Sequence, residues 1–189
     1  MLEGELKYIT RAKKGNKDSF GVLYDYYSPK IYRFIYLKTA NHSETEDLTH
    51  EVFLSAWQNL PRYQHRGFPF SSWLYQIAKN SVIDFYRTSK KNLQIESVDE
   101  ELVKVNFPYS EILDASMELE KLKKLIASLK PDYQDVLIMR FVDDLTNEEM
   151  SAALNKSQGA IRLIQHRALK ELKTLHEKEI NYGKPTLEA

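Results

Sequence analysis

Residues 145–172 read LTNEEMSAALNKSQGAIRLIQHRALKEL, and this stretch decides the fold of the C-terminal part of the chain. Thr146 followed by Glu149 forms a capping box, in which each side chain bonds to a free backbone N–H at the start of a helix. An apolar stripe at helical spacing follows, formed by Met150, Ala153 and Leu154. Asn155 then ends the helix, because asparagine tolerates the left-handed backbone conformation of a helix C-cap.

A second helix follows Ser157, whose hydroxyl can cap it. Its apolar face holds Ile161, Ile164, Ala168, Leu172 and Leu175, and its free face holds Arg162, Leu163, His166, Lys170 and Lys173. Two short helices joined by a tight turn, with basic residues on the free face of the second, are typical of a helix-turn-helix that reads DNA. An ordinary two-helix corner with a solvated basic side has the same pattern, so this stretch alone leaves both interpretations open.

Composition excludes several classes of protein. The chain has 189 residues and no cysteine, so it has no disulfide, thiolate metal site or cysteine nucleophile. It contains no apolar run approaching the roughly 18 residues of a membrane span, and its N-terminus lacks the apolar core of a signal peptide. We expect a cytoplasmic protein without membrane insertion. Helical spacing recurs along the chain while strand-like alternation is scarce, which predicts an all-α fold.

Charge divides the chain into two domains. The formal net charge is zero, but residues 96–120 carry eight acidic residues and one basic residue. The basic excess lies on either side of this stretch, which contains a proline and shows no sustained periodicity. We therefore predict two small helical domains, residues 1–93 and 117–180, joined by a flexible acidic linker, residues 94–116, and followed by a tail, residues 181–189.

The C-terminal domain is predicted to contain four helices. Apolar residues at helical spacing form the first of them: Leu119, Leu122, Leu125, Ile126 and Leu129. Pro131 ends that helix and begins the next, because proline is favoured at the first helical position. The helix-turn-helix supplies the other two.

The N-terminal domain begins with two or three helices whose large apolar residues we assign to its core: Phe20, Leu23, Tyr24, Tyr27, Ile31, Tyr32, Phe34 and Ile35. A capping box, Ser43 with Glu46, then predicts the start of a helix reading ETEDLTHEVFLSAWQNL. That helix has large apolar groups on both sides, so it is either buried within its domain or lends one side to a protein partner. Acidic residues beside Phe53 suit a protein-binding rim, and both possibilities stay open.

Residues 61–70, PRYQHRGFPF, form a loop before the helix SSWLYQIAKNSVIDFYRTSKK, residues 71–91. Trp73, Asn80, Asp84 and Arg87 share one face of this helix. Aromatic, amide and arginine side chains together suit single-stranded nucleic acid, because unstacked bases need ring faces and hydrogen-bond partners. The alternative is that Trp73 is a core residue and that Asp84 and Arg87 form an ordinary surface pair.

Catalytic patterns are lacking. The glycines form no phosphate-binding loop, and no Ser, Lys or carboxylate pair has a recognisable catalytic spacing. One carboxylate and histidine cluster is conceivable as a metal site, comprising His42, Glu46, Asp47, His50 and Glu51, but the remaining histidines supply no second ligand set. We predict no enzyme, no metal and no cofactor.

Three groups of residues resemble an extracytoplasmic-function sigma factor of bacterial RNA polymerase. The first is the run DLTHEVFLSAW, residues 47–57; the second comprises Phe70, Trp73, Leu74, Ile77, Ala78, Asn80, Asp84 and Arg87; the third is GAIR, residues 159–162. The resemblance covers about residues 18–91 and 118–175. It implies two helical domains, sigma region 2 and sigma region 4, joined by a flexible linker.

The resemblance also implies three contact surfaces. Asp47, His50, Glu51 and Phe53 match the segment that docks on the beta-prime clamp of the polymerase. The residues that match those opening the minus-ten element and holding its non-template single strand are Arg62, Arg66, Phe70, Trp73, Asn80, Asp84 and Arg87. The residues that match those reading the minus-thirty-five element in duplex DNA are Ser157, Arg162, Leu163, His166, Arg167 and Lys170.

The implied partners are core RNA polymerase, through the beta-prime clamp and the beta flap, promoter DNA, and an anti-sigma factor. A one-component helix-turn-helix regulator is the alternative function. That alternative predicts salt-sensitive promoter binding without polymerase, whereas a chain of zero net charge with an acidic linker has little attraction for duplex DNA on its own.

Overall fold

The structure is a computed structural model that describes residues 2–65, 67–92 and 124–182. All regular elements in these ranges are helical: α1 (Glu5–Ala12), α2 (Lys17–Thr39), α3 (His42–Asn59), a 3₁₀ turn (Leu60–Arg62), α4 (Phe70–Asn92), α5 (Pro131–Phe141), α6 (Asn147–Leu154) and α7 (Gln158–Tyr182). Residues 124–127 are also helical. The predicted linker and the last seven residues of the predicted tail lie outside the described ranges, whereas α7 continues two residues past the predicted end of the second domain.

The first four helices pack around one apolar core. Helix α2 contacts α1, α3 and α4, and α3 also packs on α4. Leu23, Phe34, Val52 and Leu74 are fully buried between them. Of the large residues assigned to the core, six are buried, while Phe20 and Tyr24 are partly buried against it. Apolar spacing thus identified the inward side of α2.

The predicted capping box at the start of α3 is wrong. The helix begins at His42, and its N-cap is Asn41, whose side-chain oxygen accepts a hydrogen bond of 3.1 Å from the backbone N–H of Glu44. Asn41 has an extended backbone and reaches the first turn two residues earlier than Ser43 could.

The helix-turn-helix forms as predicted. Thr146 caps α6, and its backbone N–H donates a 2.7 Å hydrogen bond to the Glu149 carboxylate. Asn155 ends α6 with a left-handed φ of 51°. The hydroxyl of Ser157 accepts a 3.2 Å hydrogen bond from Ala160 N–H at the start of α7. Helix α5 begins at Pro131, which is also as predicted.

The two domains pack directly against each other. Helix α4 contacts α6, and α2 contacts α5. Their buried apolar residues form one continuous cluster that joins α2, α3 and α4 to α5, α6 and α7. The packing brings loops and helix faces from the two domains together, and it determines which candidate DNA-binding residues are accessible.

Ion pairs between described residues also cross this interface. Lys38 on α2 pairs with Asp135 on α5, and their side chains are only 4% and 1% exposed. Arg33 Nη2 lies 2.6 Å from Asp143 Oδ1. Lys79 on α4 lies 3.6 Å from the second oxygen of Asp135. Specific charge pairs therefore help to hold the domains together.

Candidate nucleic-acid interface

Helix α7 presents the residues predicted to read duplex DNA on one exposed face. Arg162, Leu163, His166, Arg167 and Lys170 are all exposed, and Leu163 retains 49% of its accessible surface. The opposite face holds Ile161 and Ala168, which are fully buried. Ser157 lies at the start of the helix as its cap. The structure therefore brings the predicted set together on the second helix of the motif, with guanidinium, imidazole and apolar groups side by side.

Helix α4 presents three of the residues predicted to hold single-stranded DNA. Asn80, Asp84 and Arg87 are exposed along one side, and Arg87 Nη2 lies 3.1 Å from Asp84 Oδ1. This pair is open to solvent, so it contributes little to stability and its members remain available to a ligand. Arg62 is exposed at the start of the preceding loop. Arg66, the remaining predicted arginine, lies outside the described residues.

Phe70, which the sequence resemblance assigns to DNA contact, does not contact solvent in this structure. Its side chain is fully buried at the first position of α4, and its ring centroid lies 5.4 Å from that of Tyr63 and 5.9 Å from that of Tyr27. Trp73 is half-buried, with its ring centroid 4.7 Å from that of Tyr63 and 5.3 Å from that of Phe70. The rings of Tyr63, Phe70 and Trp73 form an aromatic cluster. Phe70 is its buried member, and Trp73 forms its accessible edge.

Helix α1 anchors the loop that leads into α4. The buried carboxylate of Glu5 accepts a 3.2 Å hydrogen bond from the backbone N–H of Phe70 and another from the Tyr27 hydroxyl. Lys13 Nζ donates a 2.6 Å hydrogen bond to the carbonyl oxygen of Tyr63. Burial and the nearby Glu5 charge raise the pKa of Tyr63 to about 12. The amino-acid sequence gives no sign of these anchors, because a short amphipathic helix carries no signal of the loop that it contacts.

Helix α3 presents an exposed stripe of mixed character. Asp47, His50 and Glu51 are exposed, as a docking surface requires. Phe53 is only 3% exposed, and its ring centroid lies 4.7 Å from that of Tyr24, so this predicted polymerase contact is buried in the present arrangement. The apolar side chain that α3 does present is Leu54, which is 57% exposed. Leu54 lies four residues beyond His50, on the same side of the helix.

The domain interface covers part of the candidate DNA surface. A cavity of about 570 Å³ lies between the two domains, with Arg62, Tyr63 and Trp73 on one side and Ser151 and Asn155 of the helix-turn-helix on the other. Helix α6 therefore lies across this cavity from the accessible edge of the aromatic cluster and covers it.

The interface also contains buried polar atoms. Asp143 has a fully buried side chain, and its burial raises its pKa against the opposing effect of Arg33. Among the described residues, the second carboxylate oxygens of Asp135 and Asp143 and the hydroxyl of Tyr75 lack a hydrogen bond of ordinary geometry, although Tyr75 and Asp143 interact with each other and Lys79 lies 3.6 Å from the second oxygen of Asp135. Such atoms are unfavourable in a permanent core and regain hydrogen bonds when exposed to water.

Two further observations concern metal sites and membrane-spanning helices. Within the described ranges, no group of three or more His, Asp or Glu side chains is placed to hold a metal ion. The described helices include none with the length and apolar character needed to cross a membrane.

Comparisons with known proteins identify both domains. Residues 23–92 match the family model described as Sigma-70 region 2, and residues 119–172 match that described as Sigma-70, region 4. The chain is 33% identical to the ECF RNA polymerase sigma factor BldN of Streptomyces coelicolor over 90% of its own length and 65% of that relative. It is 30% identical to the ECF RNA polymerase sigma factor SigW of Bacillus subtilis, over 88% of its own length and 94% of SigW.

Solved structures agree on the fold. CnrH, solved in complex with the cytosolic domain of CnrY, superposes with a TM-score of 0.70 at 19% identity, covering 90% of this chain and 96% of that chain. The sigma factor RpoE from Bartonella quintana, solved in complex with the anti-sigma factor NepR, gives a TM-score of 0.65 at 21% identity over 84% of this chain and 96% of that chain. With both sigma regions on one chain and a relative matched over nearly its full length, this protein belongs to the extracytoplasmic-function sigma factors of bacterial RNA polymerase.

Proposed function

We propose that this sigma factor contacts its promoter through two separate surfaces and the polymerase through a third. The observation that carries the proposal is the pair of exposed nucleic-acid faces on one chain, one on α4 and one on α7. A one-component regulator requires only the face on α7. It leaves the α4 face and the exposed stripe of α3 without a function, and the family assignment does not favour it.

The α7 face is suited to the minus-thirty-five element. Arg162 can donate a bidentate pair of hydrogen bonds to guanine, and the apolar Leu163 can contact a thymine methyl group. Arg167 and Lys170 lie further along the helix, where they can neutralise phosphates. Burial of Ile161 and Ala168 fixes the helix on its domain, so the reading face is presented rigidly.

The α4 face and its loop are suited to the minus-ten element as a single strand. Asn80, Asp84 and Arg87 offer donors and acceptors to unpaired bases, and Arg62 offers a charge to the backbone. Trp73 offers a ring edge beside them, supported by the buried ring of Phe70. Holding bases in this way is binding, so the chain needs no catalytic group to favour strand opening.

The α3 stripe is suited to the beta-prime clamp of the polymerase. Asp47 and Glu51 are exposed on the N-terminal side of Leu54, so an apolar contact lies beside negative charge. This arrangement fits a partner that is apolar at its centre and basic around it. The beta flap is the corresponding partner that we propose for the C-terminal domain.

The packed arrangement cannot engage both promoter elements at once. The minus-ten and minus-thirty-five elements lie about 25 base pairs apart, which is about 85 Å along B-DNA at about 3.4 Å per pair. The two domains are here in direct contact, and α6 covers the edge of the aromatic cluster. We infer that the domains separate on the polymerase, which also exposes the buried polar atoms of the interface to water.

An anti-sigma factor is the regulatory partner that we propose. CnrH was solved with the cytosolic domain of CnrY and the Bartonella RpoE with the anti-sigma factor NepR, and both share this fold. The polymerase that this chain serves is in the cytoplasm, and we place the chain there too. A partner that stabilised the packed arrangement would prevent promoter recognition without covering the α7 face itself.

The test is to mix the protein with bacterial core polymerase and a fragment library of the genome that encodes it. Co-elution with core polymerase in size exclusion, together with discrete run-off transcripts, is the expected result. Tight, salt-sensitive binding of duplex DNA by the free protein without co-elution would support the one-component regulator instead.

A further inference from the structure

Helix α1 and its C-cap residue contact both ends of the loop that enters α4, through the side chains of Glu5 and Lys13. We propose that α1 is a clamp for this loop, with Lys13 and Glu5 as positioning residues for the capture of single-stranded promoter DNA. The clamp rests on the proposed function of the loop and the α4 face. The match to Sigma-70 region 2 begins at residue 23, so α1 lies before the matched range.

At one end, Glu5 caps α4 from a distant part of the chain. The first backbone N–H groups of a helix need an acceptor, which is usually the side chain of the residue just before it. Here that residue is Pro69, whose side chain has no acceptor. Glu5 supplies a carboxylate oxygen to Phe70 N–H from 65 residues away. Its negative charge also lies at the positive end of the helix dipole, which strengthens the contact.

Glu5 is committed to this position by its surroundings. Its side chain lies in the core, with the residue 5% exposed, and its other oxygen accepts the hydrogen bond from Tyr27. A buried carboxylate without such donors would be strongly unfavourable. Both oxygens are therefore used, one to hold α1 on α2 and one to hold the start of α4.

At the other end, Lys13 holds the backbone of Tyr63. Lys13 follows the last residue of α1 and is half-buried, and its ammonium lies 2.6 Å from the Tyr63 carbonyl oxygen. A hydrogen bond from a charged donor to a backbone carbonyl is stronger than one between neutral groups. The contact fixes the loop where it leaves the 3₁₀ turn.

The clamp determines where the aromatic edge lies. Tyr63 and Phe70, the two residues held by α1, are also the two rings against which Trp73 packs. The loop between them contains Gly67, whose φ of 83° permits a reversal of the chain, and several of its residues are exposed. Fixing the ends of a short loop removes much of its conformational freedom before DNA binds, which improves affinity without a direct DNA contact.

The first experiment compares three lysine variants in holoenzyme. Lys13→Met keeps the aliphatic stem and removes the donor, Lys13→Arg restores a donor, and Lys14→Met makes the same charge change at the exposed neighbouring position. Each holoenzyme is titrated with a fluorescent oligonucleotide that carries the non-template minus-ten strand of a promoter found by run-off transcription. We expect Lys13→Met to bind about fivefold more weakly, since one net hydrogen bond is worth about that factor. Lys13→Arg and Lys14→Met should bind like the unaltered protein, and core polymerase affinity should be equal in all four.

The second experiment changes the other end of the clamp. Glu5→Gln removes the carboxylate charge opposite Phe70 N–H, whereas Tyr27→Phe removes the other hydrogen bond to Glu5 and leaves that contact in place. We expect weaker oligonucleotide binding for Glu5→Gln and near-normal binding for Tyr27→Phe, with circular dichroism confirming that both fold. If Glu5→Gln does not fold, the lysine series decides the matter by itself.

Different failures have different meanings. If holoenzyme with the unaltered protein binds the oligonucleotide but Lys13→Met binds it equally tightly, the clamp is overturned while the proposed function stands. A Lys13→Arg variant as weak as Lys13→Met would also overturn the clamp, because a restored donor should rescue binding. If the unaltered holoenzyme binds the oligonucleotide no better than core polymerase alone, the proposed function of the loop fails, and the clamp with it.

Discussion

Replacing Lys38 with methionine removes the cation from the ion pair that is most deeply buried between the two domains. The side chains of Lys38 and Asp135 are 4% and 1% exposed, so the value for a buried pair applies and the small value for surface pairs does not. Removing one partner of a buried pair costs about 3–5 kcal/mol, because the other charge is left uncompensated. Lys79 lies 3.6 Å from the second oxygen of Asp135 and compensates part of that charge, which favours the lower limit.

A loss of about 3 kcal/mol changes the ratio of packed to separated domains by more than about a hundredfold, at about 1.4 kcal/mol per factor of ten. Small-angle X-ray scattering measures the result, because a compact chain of 189 residues should have a radius of gyration of about 16 Å. We expect Lys38→Met to increase this radius by several ångströms with no loss of helical circular dichroism. Lys17→Met, at an exposed position of the same helix, is the matched control.

A second substitution tests whether the uncompensated charge of Asp135 causes the increase in radius. Adding Asp135→Leu to Lys38→Met removes the uncompensated charge, and apolar replacement of a buried pair is often neutral or stabilising. The double variant should therefore return to the compact radius. The reasoning is refuted if Lys38→Met keeps the compact radius but melts at a lower temperature, since the pair would then stabilise one domain and not the packing of two.

Three further predictions concern the candidate surfaces. Arg162→Ala should reduce promoter discrimination in holoenzyme by roughly 1–3 kcal/mol in competition binding and leave core polymerase affinity intact, while Lys178→Ala, further along the same helix, should change neither. Leu54→Ser should weaken core polymerase binding by about 2 kcal/mol in fluorescence titration, because it removes an apolar contact, and Leu6→Ser, 52% exposed on α1, is its control. Burial raises the pKa of Asp143 above its ordinary value of 3.8, so ionised Asp143 is less stable in the packed arrangement than in the separated one. Raising the pH from 3.8 to the raised pKa should therefore favour domain separation. Asp143→Asn should abolish this pH dependence of the radius of gyration.

Local signals in the sequence predicted the local structure well. Thr146, Asn155 and Ser157 act within one turn of their own position, so their roles in capping and ending helices follow from residue type alone. Pro131 began a helix for the same reason. At the start of α3, both Asn41 and Ser43 are residue types that cap helices, and the prediction chose Ser43. Only the extended backbone conformation of Asn41 shows that Asn41 is the cap.

Periodicity was less informative where a helix is apolar on more than one side. It could not show that Phe53 points into the core while Leu54 points outward, since both lie in one apolar stretch. For Phe70, a family motif marks the residue as important without saying whether it contacts DNA or supports a residue that does.

Long-range pairs were beyond sequence reasoning for a different reason. Glu5 and Phe70 are 65 residues apart, and Lys38 and Asp135 are 97 apart. Neither pair belongs to a local pattern, and each partner alone resembles an ordinary surface or core residue. The domain packing that the second pair supports was not expected from two domains joined by a flexible linker.

The hydrogen bond from Phe70 to Glu5 also constrains the order of folding during synthesis. The ribosome makes α1 before α4, so the Glu5 oxygen that accepts from Phe70 gains its partner only 65 residues later, about 3–13 seconds at about 5–20 residues per second. An isolated helix of eight residues is not stable in water, so α1 depends on packing against α2 until that last partner is made. The N-terminal domain is therefore complete only after its fourth helix has begun, because one of the two hydrogen bonds to Glu5 is missing until then.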